Sequence, residues 1–364
     1  MGSKKILIGS VLKPVDDTRS YEKIGMTLAQ QPDCEITIVG YHSQKKAQTI
    51  QQIHLIPLFQ FPRISLKRLF APLKFFRTLL KVKPDIIIVT TYELLIVSCA
   101  FRIIFGSRIY YDVQENYALN VWHSDTLPFL LKPILYTYIR AIEYSTRPFI
   151  KGYLLAEACY KSQCGFIGAH HFLAENKYAG PVISRTKKED NSPTHLLYSG
   201  TIAESYGVFE AINFASALNK FLPCSLTIIG YSSSSTTLDK IKQKIDNQSF
   251  ITLIGGDHLV PHTQIIETIS SADFGLIPYR NNPSTNTCIP TKLYEYLALQ
   301  LPIICMPNPL WQALIQRHQA GIIHDFAQAP TQGIIPLLQD KFYPIPAQGV
   351  FWNEYQRLLH NFIN

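Results

Sequence analysis

The sequence predicts two parallel, doubly wound α/β domains in tandem. Three observations carry this. Apolar runs such as Ile86-Ile87-Ile88-Val89 are continuous rather than alternating, as in strands buried on both faces. Helical stretches separate these runs throughout, the order of βαβ units. The alternation lapses once, over the polar residues 176–193, and then resumes.

In the first half, strands are expected at 5–11, 35–41, 85–90, 108–112 and 152–156. Helices are expected between them at 21–30, 65–82, 94–105, 127–147 and 157–166. Gly180, Pro181 and Pro193 mark the lapse as a linker. Beyond it, strands are expected at 194–199, 225–230, 251–255, 274–278 and 303–306. Helices fall at 208–221, 237–247, 262–272 and 311–318, and one more opens at Pro290. From Phe351 the chain reads as an amphipathic helix, with Trp352, Tyr355, Leu358, Leu359 and Phe362 on one side. The expected domains are 1–178, 179–345 and a C-terminal helix within 346–364. Ligands of two such sheets are expected in a cleft at the carboxyl ends of the strands.

Of 364 residues, 47% are hydrophobic and 16% charged, a globular balance with no bias to disorder. No run reaches the ~18 uncharged apolar residues of a membrane span; the nearest, 85–106, is interrupted by Glu93 and Arg102. Lys4-Lys5 leads directly into an apolar strand, which reads unlike a secretory leader. The seven cysteines are scattered and form no CxxC, so reduced core residues and a cytoplasmic setting are expected. The net charge of +8 is uneven. Residues 1–180 hold 22 Lys+Arg against 13 Asp+Glu, and residues 181–364 hold 12 against 13. A basic first half suggests an anionic partner there.

GxGxxG, P-loop and nucleophile-elbow motifs are absent, and no metal-ligand spacing of Cys and His occurs. Four stretches at strand ends remain. In residues 13–23, Asp16, Asp17 and Arg19 either touch a substrate or form a solvated loop in which Asp17 or Ser20 caps the next helix. In YYDVQENY, Gln114, Glu115 and Asn116 make a strand end too polar for a buried turn without purpose. In YSGTIAESYGV, Gly200 ends a strand and Gly207 lets a helix begin close to a ligand. The fourth, PYRNNPSTNTCIPTKLYE, contains Arg280, Asn286, Thr291, Lys292 and Glu295. Lys292 lies in the first turn of a helix, where a cation is disfavoured unless an anion binds. Glu295 follows one turn along the same face. An amphipathic core helix with an internal Lys–Glu pair remains the other reading.

A fifth feature is the basic amphipathic run from Phe61. Leu69, Leu73, Phe76 and Leu80 form a stripe, with Arg68, Lys74, Arg77, Lys81 and Lys83 around it. Such a helix rests on anionic lipid or packs on its own sheet with an exposed basic face.

Together these stretches resemble the GT-B glycosyltransferases, glycosyltransferase family 4 in particular. PTKLYEYLALQLPII looks like their donor-site signature, and YDVQENY is similar to their acceptor-domain Asp-x-His-Glu strand end. YSGTIAESYGV and DDTRSYEKIGMTLAQ resemble their glycine-rich donor loop and their Asp-x-Arg segment. The resemblance implies two Rossmann-like domains facing a central cleft, with the C-terminal helix crossing back to the first. It also implies metal-independent transfer from a UDP- or GDP-sugar, without a cofactor, to a glycan or lipid-linked acceptor. The setting implied is cell-envelope polysaccharide synthesis, at the inner face of a membrane and without nucleic acid. Carried over, Glu295 holds the donor ribose, while Lys292, Thr291 and nearby backbone contact the diphosphate. Gly200, Thr201, Tyr206, Arg280 and Asn286 complete the donor side. Asp17, Gln114 and Glu115 stand at the reaction centre, and Asp16, Arg19 and Asn116 face the acceptor.

The departures bear on mechanism. Thr287 stands where the family has the first carboxylate of its Glu-x7-Glu pair, leaving Asn286 as the nearest polar substitute. Gln114 replaces a histidine and has no proton to exchange near neutral pH. Thr201 and Tyr206 replace the usual Arg and Lys, which leaves phosphate neutralisation to Arg280. Retention is the expected course. An inverting route would use Asp17 or Glu115 as base, and a GT-B epimerase, a phosphorylase and a non-catalytic binding protein are the rival readings.

Overall fold

In a computed structural model of the chain, residues 3–43, 50–61, 65–124, 127–185, 192–280 and 286–364 are described. Parts of three sequence stretches, 62–64, 186–191 and 281–285, lie outside them. The chain divides into two compact units, Met1–Ala179 with Trp352–Asn364, and Gly180–Phe351.

The first unit is built on a parallel sheet of β1 (Lys4–Pro14), β2 (Cys34–Tyr41), β3 (Ile53–Phe59), β4 (Ile86–Val89), β5 (Arg108–Val113), β6 (Ile150–Leu155) and β7 (His171–Leu173). Their order is β3-β2-β1-β4-β5-β6-β7, so the chain reverses direction across the sheet between β1 and β4. All four residues of β4 are buried, as their unbroken apolar run requires. Ile6, Ile8, Ile36, Ile38, Ile86 and Ile88 form one face of the core, and Trp352, Leu359 and Ile363 of the returning C-terminal helix pack into it. The Trp352 indole N–H donates to Thr27 Oγ1 at 2.9 Å. Its backbone N–H donates to the Tyr178 carbonyl at 2.7 Å.

The second unit holds β8 (Thr194–Thr201), β9 (Cys224–Tyr231), β10 (Ile251–Gly256), β11 (Phe274–Ile277), β12 (Ile303–Cys305) and β13 (Gly321–Ile323). They are parallel, in the order β10-β9-β8-β11-β12-β13. Numbered within the unit this is 3-2-1-4-5-6, the order of dinucleotide-binding sheets, with its switch point between β8 and β11.

Several elements differ from expectation. β3, β7 and β13 were not foreseen. β3 is an edge strand carrying Pro57, which edges tolerate, and the other two span three residues each. The 21–30 helix is instead a π-helical segment, Thr18–Gly25, followed by the short turn Met26–Leu28. Its start is set by Asp17, whose carboxylate accepts the backbone N–H groups of Arg19 and Ser20. Within 127–147 the helix proper is Leu131–Thr146, and a separate helix, Tyr117–Trp122, precedes it. The helix expected at 157–166 shortens to Tyr160–Gln163.

Candidate functional site

The carboxyl ends of β8 and β11 converge on the start of the Thr291–Ala298 helix. Pro290 precedes this helix and supplies no side-chain cap; its carbonyl accepts the Leu293 N–H at 2.9 Å, and the N–H groups of Thr291 and Lys292 have no partner within the helix. Every residue from Lys292 to Ala298 is buried. The helix therefore delivers Lys292 into the interior rather than to solvent.

The Lys292 ammonium is enclosed by aromatic rings. Its Nζ lies 4.9 Å from the Tyr198 ring centre, 5.4 Å from Tyr279 and 6.0 Å from Tyr206. It is a buried polar atom with no hydrogen-bond partner among the described residues. Burial pulls its pKa down to about 7, and the nearby Glu295 carboxylate only partly opposes that. A lysine with three donors and nothing to donate to is costly. An anion would remove that cost.

Gly200 makes room for it. The residue sits at φ +91°, where a side chain is strained, and a Cβ there would overlap Lys292 Cε and lie 3.0 Å from Nζ. Gly207, at φ +74°, lets the next helix start against the Pro278 carbonyl oxygen. Tyr198 and Tyr296 are fixed around this point. The Tyr198 hydroxyl donates to the Thr201 carbonyl at 3.0 Å, and Tyr296 Oη lies 2.9 Å from Ser199 Oγ.

Glu295 is buried, and its Oε1 lies 3.0 Å from His262 Nε2. His262 opens the His262–Ser271 helix. His262 lies outside all the stretches that the sequence marks as chemical, so it was not foreseen. Its only local signal is its place at the helix start after β10. Tyr198, Tyr206 and Tyr279 stand in two of the quoted stretches, but their closing around Lys292 was not foreseen, because it joins residues far apart in sequence.

Other expected donor residues are placed less closely. Arg280 Nε donates to Glu210 Oε1 at 2.7 Å, and the Arg280 side chain is about half exposed. Thr201, Thr287 and Thr291 are exposed. The Asn286 carbonyl accepts from Asn308 Nδ2 at 2.9 Å, and the Cys288 carbonyl accepts the Trp311 indole N–H at 2.8 Å. These bonds tie the approach to the Thr291–Ala298 helix onto the start of the Pro309–His318 helix.

In the first unit, the expected residues form a network centred on Asp112, which is fully buried at the end of β5. Arg19 grips it through Nε at 2.9 Å and Nη2 at 2.6 Å. The Arg19 Nη1 donates to the Ala174 carbonyl at 2.6 Å and to Asn176 Oδ1 at 3.0 Å. Gln114 Nε2 donates to Asp112 Oδ2 at 2.8 Å. Asp16 accepts from the Ser43 hydroxyl. Asn116 caps the Tyr117–Trp122 helix and accepts from Arg140 at 2.7 Å. Glu115 is more open; it accepts from Asn120 at 3.1 Å and lies 3.7 Å from Lys13 Nζ.

A pair of doubly wound units of this strand order, with a C-terminal helix returned to the first, is the GT-B fold. No protein-family model matches the chain, and no curated protein matches its sequence. Solved structures do match its fold. It is similar to sucrose-phosphate synthase from Thermosynechococcus elongatus at 12% identity and a TM-score of 0.67, over 99% of this chain and 95% of that one. It is similar to Anabaena HepE in complex with UDP and glucose at 12% identity and a TM-score of 0.66, over 98% of each chain. The apo lipopolysaccharide outer core galactosyltransferase WaaB aligns at 15% identity and a TM-score of 0.55, over 99% of this chain and 94% of that one.

Proposed function

We propose that the chain is a glycosyltransferase of the family 4 kind, which binds a nucleotide sugar in the second unit and transfers its sugar to a glycan or lipid-linked acceptor. The observation that carries this is the buried, unpartnered Lys292 ammonium at the switch point of a 3-2-1-4-5-6 sheet, where ligands of such sheets bind. A diphosphate supplies the acceptor oxygens that Lys292 lacks, and the N–H groups of Thr291 and Lys292 at the helix start add to the hold. Glu295, held by His262, is positioned to accept ribose hydroxyls. HepE was solved with UDP and with glucose, which supports a UDP-sugar as the first donor to test.

In the reaction the anomeric C–O bond to the diphosphate breaks and a C–O bond to the acceptor forms. Charge builds on the departing diphosphate. Lys292 and the helix N–H groups stabilise it there, a contribution of several kcal/mol in a water-poor site. Arg280 joins only by leaving Glu210. The acceptor proton passes to the leaving phosphate in a retaining course, which suits a first unit where Asp17 is spent on capping and Gln114 does not titrate. In an inverting course Glu115 is the remaining base.

Calorimetric titration with UDP, GDP, ADP and their glucose conjugates tests the donor site. Binding of one nucleotide, with a dissociation constant weakened by Lys292→Met, is expected. Failure of every nucleotide to bind overturns the proposal. The anomeric configuration of a transferred sugar, read by NMR, separates retention from inversion.

A further inference from the structure

We infer that the first unit carries a docking surface for an anionic lipid bilayer, formed by the outward faces of its 66–82 and 129–146 segments. The inference does not depend on the transfer reading. The Leu66–Phe70 turn and the Ala71–Val82 helix bury Ala71, Phe75, Thr78 and Leu79. That face is sufficient to seat the helix on its own sheet. A second apolar face points to solvent: Leu66 is 82% exposed, Leu69 73%, Phe70 63% and Leu73 51%. Phe76 is the exception in the expected stripe. It turns inward to an edge contact with Phe101, 6.3 Å between ring centres.

A neighbouring segment repeats the pattern. Phe129 is 80% exposed and Leu130 78% at the entry to the Leu131–Thr146 helix. The two segments are linked through the Tyr92–Leu94 turn between them. Arg68 pairs with Glu93, and Tyr92 meets Tyr138 edge-on at 6.4 Å. Both apolar clusters follow from strand carboxyl ends, the side on which ligands of such sheets bind. Single exposed leucines need no explanation, but clusters on adjoining elements do.

Charge decides the occupant. Residues 65–83 contain six Lys and Arg and no Asp or Glu. Lys67, Lys74, Arg77 and Lys81 are exposed beside the leucines. Apolar side chains bordered by basic ones fit the boundary between acyl chains and anionic headgroups. A second copy of this chain would bring the same cations face to face. Among the described residues no helix is long and apolar enough to cross a membrane, so the contact is at the surface. A lipid-linked acceptor would then reach the unit from the bilayer on which it sits.

Flotation with vesicles tests this, using phosphatidylglycerol–phosphatidylcholine mixtures and phosphatidylcholine alone. The full chain should float with anionic vesicles at low salt, much less at high salt, and not with phosphatidylcholine alone. The K67E/K74E/R77E/K81E and L66S/L69S/L73S variants should each lose at least about tenfold in partitioning, with unchanged thermal unfolding and unchanged UDP titration. Absence of flotation at low salt, or flotation indifferent to both variants, overturns the inference. So does a concentration-dependent dimer that L66S/L69S/L73S abolishes, since that would assign the face to a second copy. UDP titration of the same samples reads the transfer proposal separately.

Discussion

Replacing Lys292 by methionine should stabilise the ligand-free protein while weakening nucleotide binding. The lysine's pKa falls from 10.5 to about 7 on burial. At about 1.4 kcal/mol per unit, holding the charge inside costs about 5 kcal/mol. The tyrosine rings return about 1–2 kcal/mol of this, leaving a net cost of roughly 3 kcal/mol. Its sign with pH is definite. Between 7 and 10.5 the unfolded chain binds more protons at this site than the folded one, so the cost is fully present below pH 7 and fades as pH rises toward 10.5. Methionine is similar in length, uncharged and suited to a cage of rings. Denaturant unfolding of the second unit, measured from pH 6.5 to 9.5, should therefore show Lys292→Met ahead of the parent at low pH and the gap closing as pH rises. Nucleotide affinity of the parent should run the other way, falling above pH 7, because an anion binds the protonated amine. A destabilised Lys292→Met at pH 6.5, or one that binds UDP as the parent does, would refute the reasoning.

Other substitutions probe the same framework. Glu295→Ala should weaken UDP-sugar binding by about 1–3 kcal/mol in calorimetry, as for a lost charged hydrogen bond, and leave the fold unaltered in circular dichroism. Gly200→Ala adds a Cβ at positive φ against Lys292 and should lower stability by about 1–3 kcal/mol along with nucleotide affinity. Arg19→Met leaves the buried Asp112 side chain without its arginine, so the first unit should be destabilised by about 3–5 kcal/mol in denaturant unfolding. If that variant unfolds as the parent does, the network is not what holds the strand ends.

The strands that position the site were legible because buried parallel strands announce themselves. Ile86–Val89 and Leu196–Tyr198 are apolar without a break, as strands buried on both faces are. β3 was not, because as an edge strand it is only partly buried along most of its length and carries Pro57. Lys292 and Gly200 were legible for local reasons: a cation at a helix start goes against local preference, and a glycine marks the end of a strand. Their meeting was not, since it joins residues 92 positions apart. The same holds for Arg19 and Asp112, 93 apart. Asp17 and Asn116 looked chemical in sequence and prove to cap helices. A carboxylate or amide before a helix is ambiguous until its acceptor oxygens are located.

The return of residues 352–364 to the first unit has a consequence for synthesis. Trp352, Leu359 and Ile363 fill that unit's core, yet they leave the ribosome only after all of Gly180–Phe351. At ordinary elongation rates of about 5–20 residues per second, the interval is roughly 10–35 s. During it the first sheet stands with the site of Trp352 uncovered and the Thr27 hydroxyl without its indole donor. The N-terminal unit, ordinarily the first to mature, completes its core here only after the whole second unit has been made, and the nascent first unit is the natural client for a chaperone.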